Sequence, residues 1–213
     1  MSTSKDNPNG SRAPLGRFCV VGLLISGLEE FITQGVLKNT LTGWVLPTLV
    51  AFVPFLLLLR AVGTVLDRRL PAPTAVLCYY LAAGTIGLLV EWFLIGLSPW
   101  RDTSAPILLL LGFQFGMFSF WAGVAMAPRI LLDTRPTVLR VRQVTRRWLI
   151  FGFAVIYVLT FAVPQHARFG AAILSVLTTF LALNYAYVRY LRALRDPARA
   201  APEGDRPLRT GGG

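Results

Sequence analysis

Long runs of apolar residues constrain this chain more than any other feature of its sequence. Six such blocks follow one another, separated by short segments with turn-forming and charged residues. A bilayer core about 30 Å thick needs about 20 helical residues at 1.5 Å each, and the alternating segments of a membrane barrel are absent from the sequence. The sequence therefore predicts an all-α polytopic membrane protein, a bundle of six transmembrane helices. The blocks cover residues 18–37, 45–66, 73–97, 105–128, 148–164 and 168–191.

Composition and the two ends of the chain set the expected domain organisation. Hydrophobic residues make up 54% of the sequence and charged residues 15%, whereas soluble domains have about 45–50% and about 25%. Both ends are rich in proline, glycine and arginine, which is typical of disorder. We therefore expect a transmembrane domain over 17–192, between disordered cytoplasmic tails at 1–16 and 193–213.

The net charge of +11 is distributed unevenly along the chain. If the N-terminus is cytoplasmic, only Lys38, Arg101 and Arg168 of the 21 lysines and arginines fall in outer segments. This asymmetry follows the positive-inside rule and predicts an integral protein of the cell (inner) membrane with both termini cytoplasmic. It also explains the basic character without a nucleic-acid partner. Membrane lipids are the expected partners, and the oligomeric state stays open.

Acidic and amide side chains occur inside three of the predicted helices. Glu29 and Glu30 lie in helix 1, Glu91 in helix 3 and Gln114 near the outer end of helix 4. Glu30 and Glu91 are each about 12 Å below the outer end of their helix, at 1.5 Å per residue. No lysine or arginine falls at that depth. Polar groups retained there at such a cost indicate a functional site; the alternative is a hydrogen bond between helices or a water-filled outer vestibule.

Helical spacing assigns these groups to faces. Ser26, Glu30 and Gln34 share one stripe of helix 1 because they are four residues apart, and Glu29 points about 100° away from Glu30. Tyr80, Gly84, Gly87 and Glu91 share a stripe of helix 3, and its glycines allow close helix approach. Helix 4 also has a stripe of small residues that suits close helix packing. This stripe consists of Gly112, Gly116, Ser119 and Gly123.

The heptapeptide EEFITQG, from Glu29 to Gly35, resembles the EExxxRG signature of the CAAX-processing and bacteriocin-processing intramembrane proteases. Gln34 takes the place of the family's arginine. The resemblance implies a catalytic site completed by histidines on later helices. His166, in the predicted outer loop before helix 6, is the single histidine of the sequence. We therefore expect neither proteolysis nor a metal site of that type.

The segment EWFLIGLSPW, from Glu91 to Trp100, resembles a pattern of the small integral-membrane terpene cyclases. In that family one helix carries an acid next to a tryptophan and a proline eight residues after the acid, here Glu91, Trp92 and Pro99. This chain departs from the family in having the tryptophan after the acid, six predicted helices instead of seven, and no acid in the late helices. The resemblance implies cyclisation of a prenylated substrate, with Glu30 as the second acid.

Cyclisation of this kind needs a protonated carboxylic acid, a second polar group that orients it, and aromatic faces that stabilise carbocations. We therefore predict Glu91 and Glu30 as catalytic residues. The predicted substrate-binding residues are Gln34, Gln114, Trp92, Phe118, Trp121 and Tyr157. Aromatic residues are also ordinary in membrane packing. The sequence has no phosphate-binding loop, CxxC pair or DxxxD-type diphosphate site, so we expect no cofactor and no metal.

Two further segments carry local predictions. Pro47 and Pro54 should kink helix 2. The segment 137–147 interleaves arginines with apolar residues. It either lies along the cytoplasmic leaflet and binds anionic headgroups, or forms a plain basic loop.

Three classes of function fit the sequence. The first is a metal-independent membrane enzyme that uses intramembrane carboxylic acids on a lipid-like or isoprenoid substrate, for example in terpene cyclisation. The second is a proton- or cation-coupled transporter, which the missing internal repeat and the lack of acids near the midplane disfavour. The third is a non-catalytic assembly or accessory protein whose glutamates are structural. The enzyme is the most specific of these hypotheses.

Overall fold

The computed structural model describes residues 13–31, 43–96 and 106–196, and every regular element in these ranges is helical. This confirms the predicted all-α class. Most of both predicted tails lies outside the described residues; the parts that are described begin or end a helix. The elements are α1 (Leu15–Glu30), α2 (Val45–Pro47), a first π-helical segment (Thr48–Phe52), α3 (Val53–Arg69), α4 (Ala72–Val90), a second π-helical segment (Glu91–Ile95), α5 (Ile107–Leu131), a 3₁₀ turn (Pro136–Val138), α6 (Leu139–Ala162) and α7 (Gln165–Arg195).

Three stretches of the described chain are long and apolar enough to cross a membrane. They are Thr48–Arg69, Ala72–Ile95 and Ile107–Leu131. Their outward-facing side chains include Leu94, which is 74% exposed, and Leu108, which is 80% exposed. Apolar surface of this kind marks contact with lipid or with a partner. The described helices are therefore compatible with a membrane protein, as the sequence predicts.

The segment 137–147 is helical, and its position along the cytoplasmic leaflet stays a prediction. A 3₁₀ turn starts at Pro136 and runs directly into α6 at Leu139, so α6 begins nine residues before the predicted fifth block. Proline at the start of a helix is favourable because its φ is already helical. Leucine, arginine and glutamine are good helix formers, and no glycine or proline interrupts the segment from Leu139 to Phe151.

The interruption expected from two prolines takes a definite form. The first π-helical segment, Thr48–Phe52, lies between Pro47 and Pro54. Proline lacks the backbone N–H that an α-helical ladder needs, so the local hydrogen bonding must change. The second π-helical segment continues α4 and ends at Gly96, whose φ of 87° is in the left-handed region that glycine tolerates. No proline within or immediately before it announces this second segment in the sequence.

Two glycines of α4 set a close approach to α5. A Cβ atom on Gly87 would lie 2.0 Å from Cγ of Trp121, and one on Gly84 would lie 2.5 Å from the Phe118 ring. By contrast, a Cβ on Gly112 or Gly116 would meet no atom of the described residues within 4 Å. The small-residue stripe predicted on α5 is therefore wrong in the first half of that helix, because this half presents large apolar residues outward. The close helix approach predicted from Gly84 and Gly87 of the third helix, now α4, is confirmed.

Long-range polar contacts join the basic ends of several helices. Arg60 of α3 donates a hydrogen bond from Nη2 to the Ala13 carbonyl oxygen, just before α1, at 2.6 Å. Arg129, near the end of α5, forms an ion pair with Asp67, near the end of α3. The start of α1 therefore lies beside the middle of α3, and the ends of α3 and α5 lie together at one end of the bundle, which we call the basic end.

Asp133, in the turn after α5, binds two groups at the basic end. It accepts hydrogen bonds from the Arg135 backbone N–H at 2.9 Å and from Tyr190 Oη at 2.6 Å, and it forms an ion pair with the Arg135 side chain. Burial raises the pKa of Asp133, but the hydrogen bonds from Arg135 and Tyr190 outweigh burial and hold this pKa below its ordinary value. The end of α7 is thereby joined to the turn between α5 and α6.

We expect Asp133 to make stability depend on pH. Because its pKa is lower in the folded than in the unfolded state, the contribution is fully present above the unfolded value of about 3.9 and is lost as the pH falls through the folded pKa. Asp133→Asn should therefore lower the thermal unfolding temperature in detergent at pH 7, and by less at about pH 3. A difference from the parent that stays constant over this range would contradict the assignment.

Candidate functional site around Glu91 and Trp121

A buried carboxyl group lies where α4 passes into the second π-helical segment. Glu91 is the first residue of that segment and is 4% exposed. Trp121 of α5 donates a hydrogen bond from Nε1 to Glu91 Oε1 at 2.9 Å. The other oxygen, Oε2, is buried and has no hydrogen-bond partner among the residues that the structure describes. The carboxyl group is thus held through one oxygen while the second can bind another group.

Aromatic rings fix the Trp121 indole in place. Phe52, the last residue of the first π-helical segment, stacks on it with ring centroids 4.7 Å apart, and Phe55 meets it edge-on at 4.6 Å. Trp121 itself is 1% exposed. Such aromatic pairs contribute about 0.5–1.5 kcal/mol each beyond the area they bury. The two π-helical segments therefore meet at one indole, one through a ring and the other through a carboxylate.

A second indole joins the second π-helical segment to α5, nearer the start of α5. Trp92, next to Glu91, donates from Nε1 to Gln114 Oε1 at 2.6 Å. Gln114 and Trp121 are seven residues apart, so they lie on the same face of α5 about two turns from each other. Adjacent residues of the second π-helical segment thus both bind α5. The structure brings together four of the eight predicted site residues: Glu91, Trp92, Gln114 and Trp121.

The other predicted residues are placed differently. Phe118 packs against Gly84 and meets the Tyr80 ring edge-on at 6.0 Å, which places it about two turns of α4 from Glu91. Glu30 is the last residue of α1; it is half-buried, and its Oε2 atom is buried.

Three residues of the sequence analysis cannot be placed. Gln34 lies outside the described residues. The side chains of Tyr157 and Glu29 are likewise outside the described part of the chain, although their backbones belong to α6 and α1.

The end of α1 packs near this site. The Phe31 ring, directly after Glu30, meets the Trp44 ring edge-on at 5.7 Å. A Cβ on Gly27 would be 3.4 Å from Trp44 and 3.6 Å from Thr48 of the first π-helical segment. Glu30 therefore lies on the α1 turn that packs beside the first π-helical segment, whose Phe52 reaches Trp121.

Sequence reasoning missed Phe52 and Phe55 as parts of the site. Their signal was present but weak: they are three residues apart and thus share a helix face, and Pro54 lies between them. Among the described residues, no group of three or more histidine, cysteine, aspartate or glutamate side chains is positioned to hold a metal ion.

The site is thus a buried acid that accepts an indole hydrogen bond inside an aromatic cluster. This arrangement can hold a carboxyl group in one orientation and keep water away from it. No protein-family model, no curated protein and no solved structure matches this chain.

Proposed function

We propose that this protein is an integral-membrane, metal-independent enzyme that uses Glu91 as a carboxylic acid on a lipid-like or isoprenoid substrate, as in terpene cyclisation. One observation carries the proposal: Glu91 Oε2 is buried without a hydrogen-bond partner in the described chain, while Trp121 fixes Oε1. A carboxylic acid held in this way is a proton donor that its neighbours orient and shield from water.

The proton transfers of the proposed reaction take place between the Glu91 carboxyl group and the substrate. The proton leaves Oε2 for an alkene carbon or an epoxide oxygen, and the substrate's electron pair forms the new bond to it. The carboxylate that remains accepts the Trp121 hydrogen bond more strongly, because charge-assisted hydrogen bonds are about twice as strong. Loss of a proton from the cyclised cation restores the acid. Glu30 is proposed as the second acid, and Trp92 as an aromatic face for the cation.

Substrate access is proposed from the lipid side. The second π-helical segment ends in side chains that face outward, and Phe93 and Leu94 are 71% and 74% exposed. The hydrogen bonding of a π-helix is less regular than that of an α-helix, and such segments occur often at functional sites. We propose that an apolar chain enters beside this segment and displaces the packing over Glu91.

The proposed topology has six membrane spans, with both termini on the cytoplasmic side of the cell membrane. It is supported by the basic end of the bundle, where the ends of α3 and α5 meet, and by Arg60 of α3, which binds the chain just before α1. Clusters of arginine on one side of a membrane favour that side as cytoplasmic.

Comparison of lipid extracts tests the enzyme. Cells supplied with polyprenyl precursors would express the parent, Glu91→Gln, Glu30→Gln or the matched control Asp196→Asn, and lipid masses would be compared at equal protein levels. We expect a species that appears with the parent and the control and falls about 100-fold or more with Glu91→Gln, the usual range for loss of a general acid. Glutamine keeps an oxygen that can accept the Trp121 hydrogen bond, so the fold should survive.

Other outcomes separate the three classes of function. Unchanged lipid masses with normal protein levels would overturn the enzyme. Proton or cation flux in liposomes that Glu91→Gln abolishes would identify a transporter. Loss of the folded protein in Glu91→Gln but not in Asp196→Asn would make Glu91 structural, as an accessory protein predicts.

A further inference from the structure

A groove lies between α6 and α7, where α6 begins and α7 ends. Its volume is about 540 Å³, within the range of about 300–1,000 Å³ usual for ligand sites. Its walls run from Arg140 to Leu149 on α6 and from Leu181 to Arg189 on α7. The two helices follow each other and pack in opposite directions. The two arginines therefore lie at one end of the groove, and Trp148 and Leu181 lie about 12 Å away at the other.

The arginine end of the groove carries positive charge that its own walls do not neutralise. The described lining contains no aspartate or glutamate. Arg189 donates a hydrogen bond from Nη1 to Tyr185 Oη at 3.1 Å, and its guanidinium carbon lies 5.9 Å from the Tyr185 ring centroid. Tyrosine thus orients Arg189 without neutralising it. Asp133, the nearby acid at the basic end, is bound by Arg135 and Tyr190.

The opposite end of the groove is apolar and open. Leu181 is 68% exposed, and Trp148 is 56% exposed with its ring edge-on to Phe151 at 6.3 Å. Tryptophan is enriched at the boundary between headgroups and acyl chains. Polarity therefore changes along the groove in the same direction as along a phospholipid, from a charged headgroup to an acyl chain.

We propose that this groove binds one phospholipid with an anionic headgroup. Its phosphate lies between Arg140 and Arg189, and an acyl chain runs along Trp148 and Leu181. Arginine presents a planar donor fork that matches phosphate oxygens, and basic grooves between membrane helices bind anionic headgroups. The occupant is a lipid of the surrounding bilayer, because the apolar half of the groove would leave a soluble anion without contacts. This site is independent of Glu91.

Native mass spectrometry of the full-length protein in detergent tests the proposal. The probes are phosphatidylglycerol, phosphatidylcholine with the same acyl chains, and inorganic phosphate. The test variant is Arg140→Gln with Arg189→Gln. The matched control is Arg146→Gln with Arg147→Gln, which removes the same charge from exposed positions of α6 outside the groove. Thermal unfolding of each variant is measured in parallel.

We expect phosphatidylglycerol to bind the parent and the control pair with similar affinity, and the test pair about tenfold or more weakly. Phosphatidylcholine should bind all three weakly. A third variant, Ala182→Trp, fills the apolar part of the groove and should weaken phosphatidylglycerol binding while both arginines remain.

Four results would overturn the proposal. The first is an equal loss of lipid in the test and control pairs, which would indicate general surface charge. The second is competition by millimolar inorganic phosphate that equals competition by lipid, which would indicate an ion site. The third is unchanged binding in Ala182→Trp. The fourth is a change from dimer to monomer in the test pair with lipid binding intact, which would assign the groove to a second copy of the chain.

Discussion

Replacing Trp121 by alanine should lower the free energy of unfolding by about 3–5 kcal/mol, the range for truncating a buried large aromatic residue. The substitution removes the stack on Phe52 and the edge contact with Phe55, and it takes away the hydrogen bond to Glu91. Neither oxygen of the buried Glu91 carboxyl group would then have a hydrogen-bond donor in the described chain, which adds to the loss of stability. Thermal and denaturant unfolding in detergent would measure the effect.

Two variants separate the contributions to this loss. Trp121→Phe keeps one ring against Phe52 but removes the N–H donor and part of the ring volume, so it should cost less than alanine, about 1–3 kcal/mol. Phe115→Ala truncates a ring on the same helix that is 71% exposed, and it should change stability by less than about 1 kcal/mol. Equal losses in Trp121→Ala and Phe115→Ala would mean that Trp121 is not at the centre of the packed bundle.

Gly87→Ala should be the second most destabilising change, although it adds a single methyl group. The new Cβ would lie 2.0 Å from Cγ of Trp121, an atom near the backbone that cannot swing aside. The helices α4 and α5 would have to separate, so we expect a loss of about 3 kcal/mol or more, at the upper end for overpacking. The unfolding temperature and the yield of monodisperse protein would report it.

Gly112→Ala and Gly116→Ala are the matched controls on the partner helix. A Cβ at either position meets nothing within 4 Å in the described part of the chain, and alanine is the better helix former by about 1 kcal/mol. These two variants should leave stability unchanged or raise it. The same substitution thus has opposite expected signs on the two helices. If Gly87→Ala were tolerated as well as Gly112→Ala, the close approach of α4 to α5 would be wrong.

The parts of the fold that follow from apolar length were predictable. The third apolar block, 73–97, corresponds to α4 with its π-helical continuation, and the fourth, 105–128, corresponds to α5 within a few residues. The start of α6 was not predictable from apolar length, because its first two turns are basic and contain no apolar run. Helix propensity, not hydropathy, decides that part of the chain.

Part of the membership of the candidate site was predictable, and the pairing of its side chains was not. Depth alone placed Glu91 and Gln114 in one layer, since both measurements depend only on helix rise. Which residue each of these side chains contacts depends on the direction in which it leaves its helix. A period of 3.6 residues fails at Glu91, where the backbone changes to π-helical bonding. The small-residue stripe of α5 was wrong in the first half of the helix because residue spacing does not indicate which face of a helix meets another helix.

The second π-helical segment also affects how this helix tolerates insertions and deletions. A π-helical turn contains one residue more than an α-helical turn, so the segment Glu91–Ile95 behaves as a one-residue insertion after α4. Loss of a single codon there would let α-helical bonding continue, and gain of one would extend the irregular turn. Neither event shifts Gly84 or Gly87 against α5. An insertion or deletion after Trp92 would therefore change the direction of the last residues of this helix, while the packed part from Gly84 to Trp92 stays in register with α5.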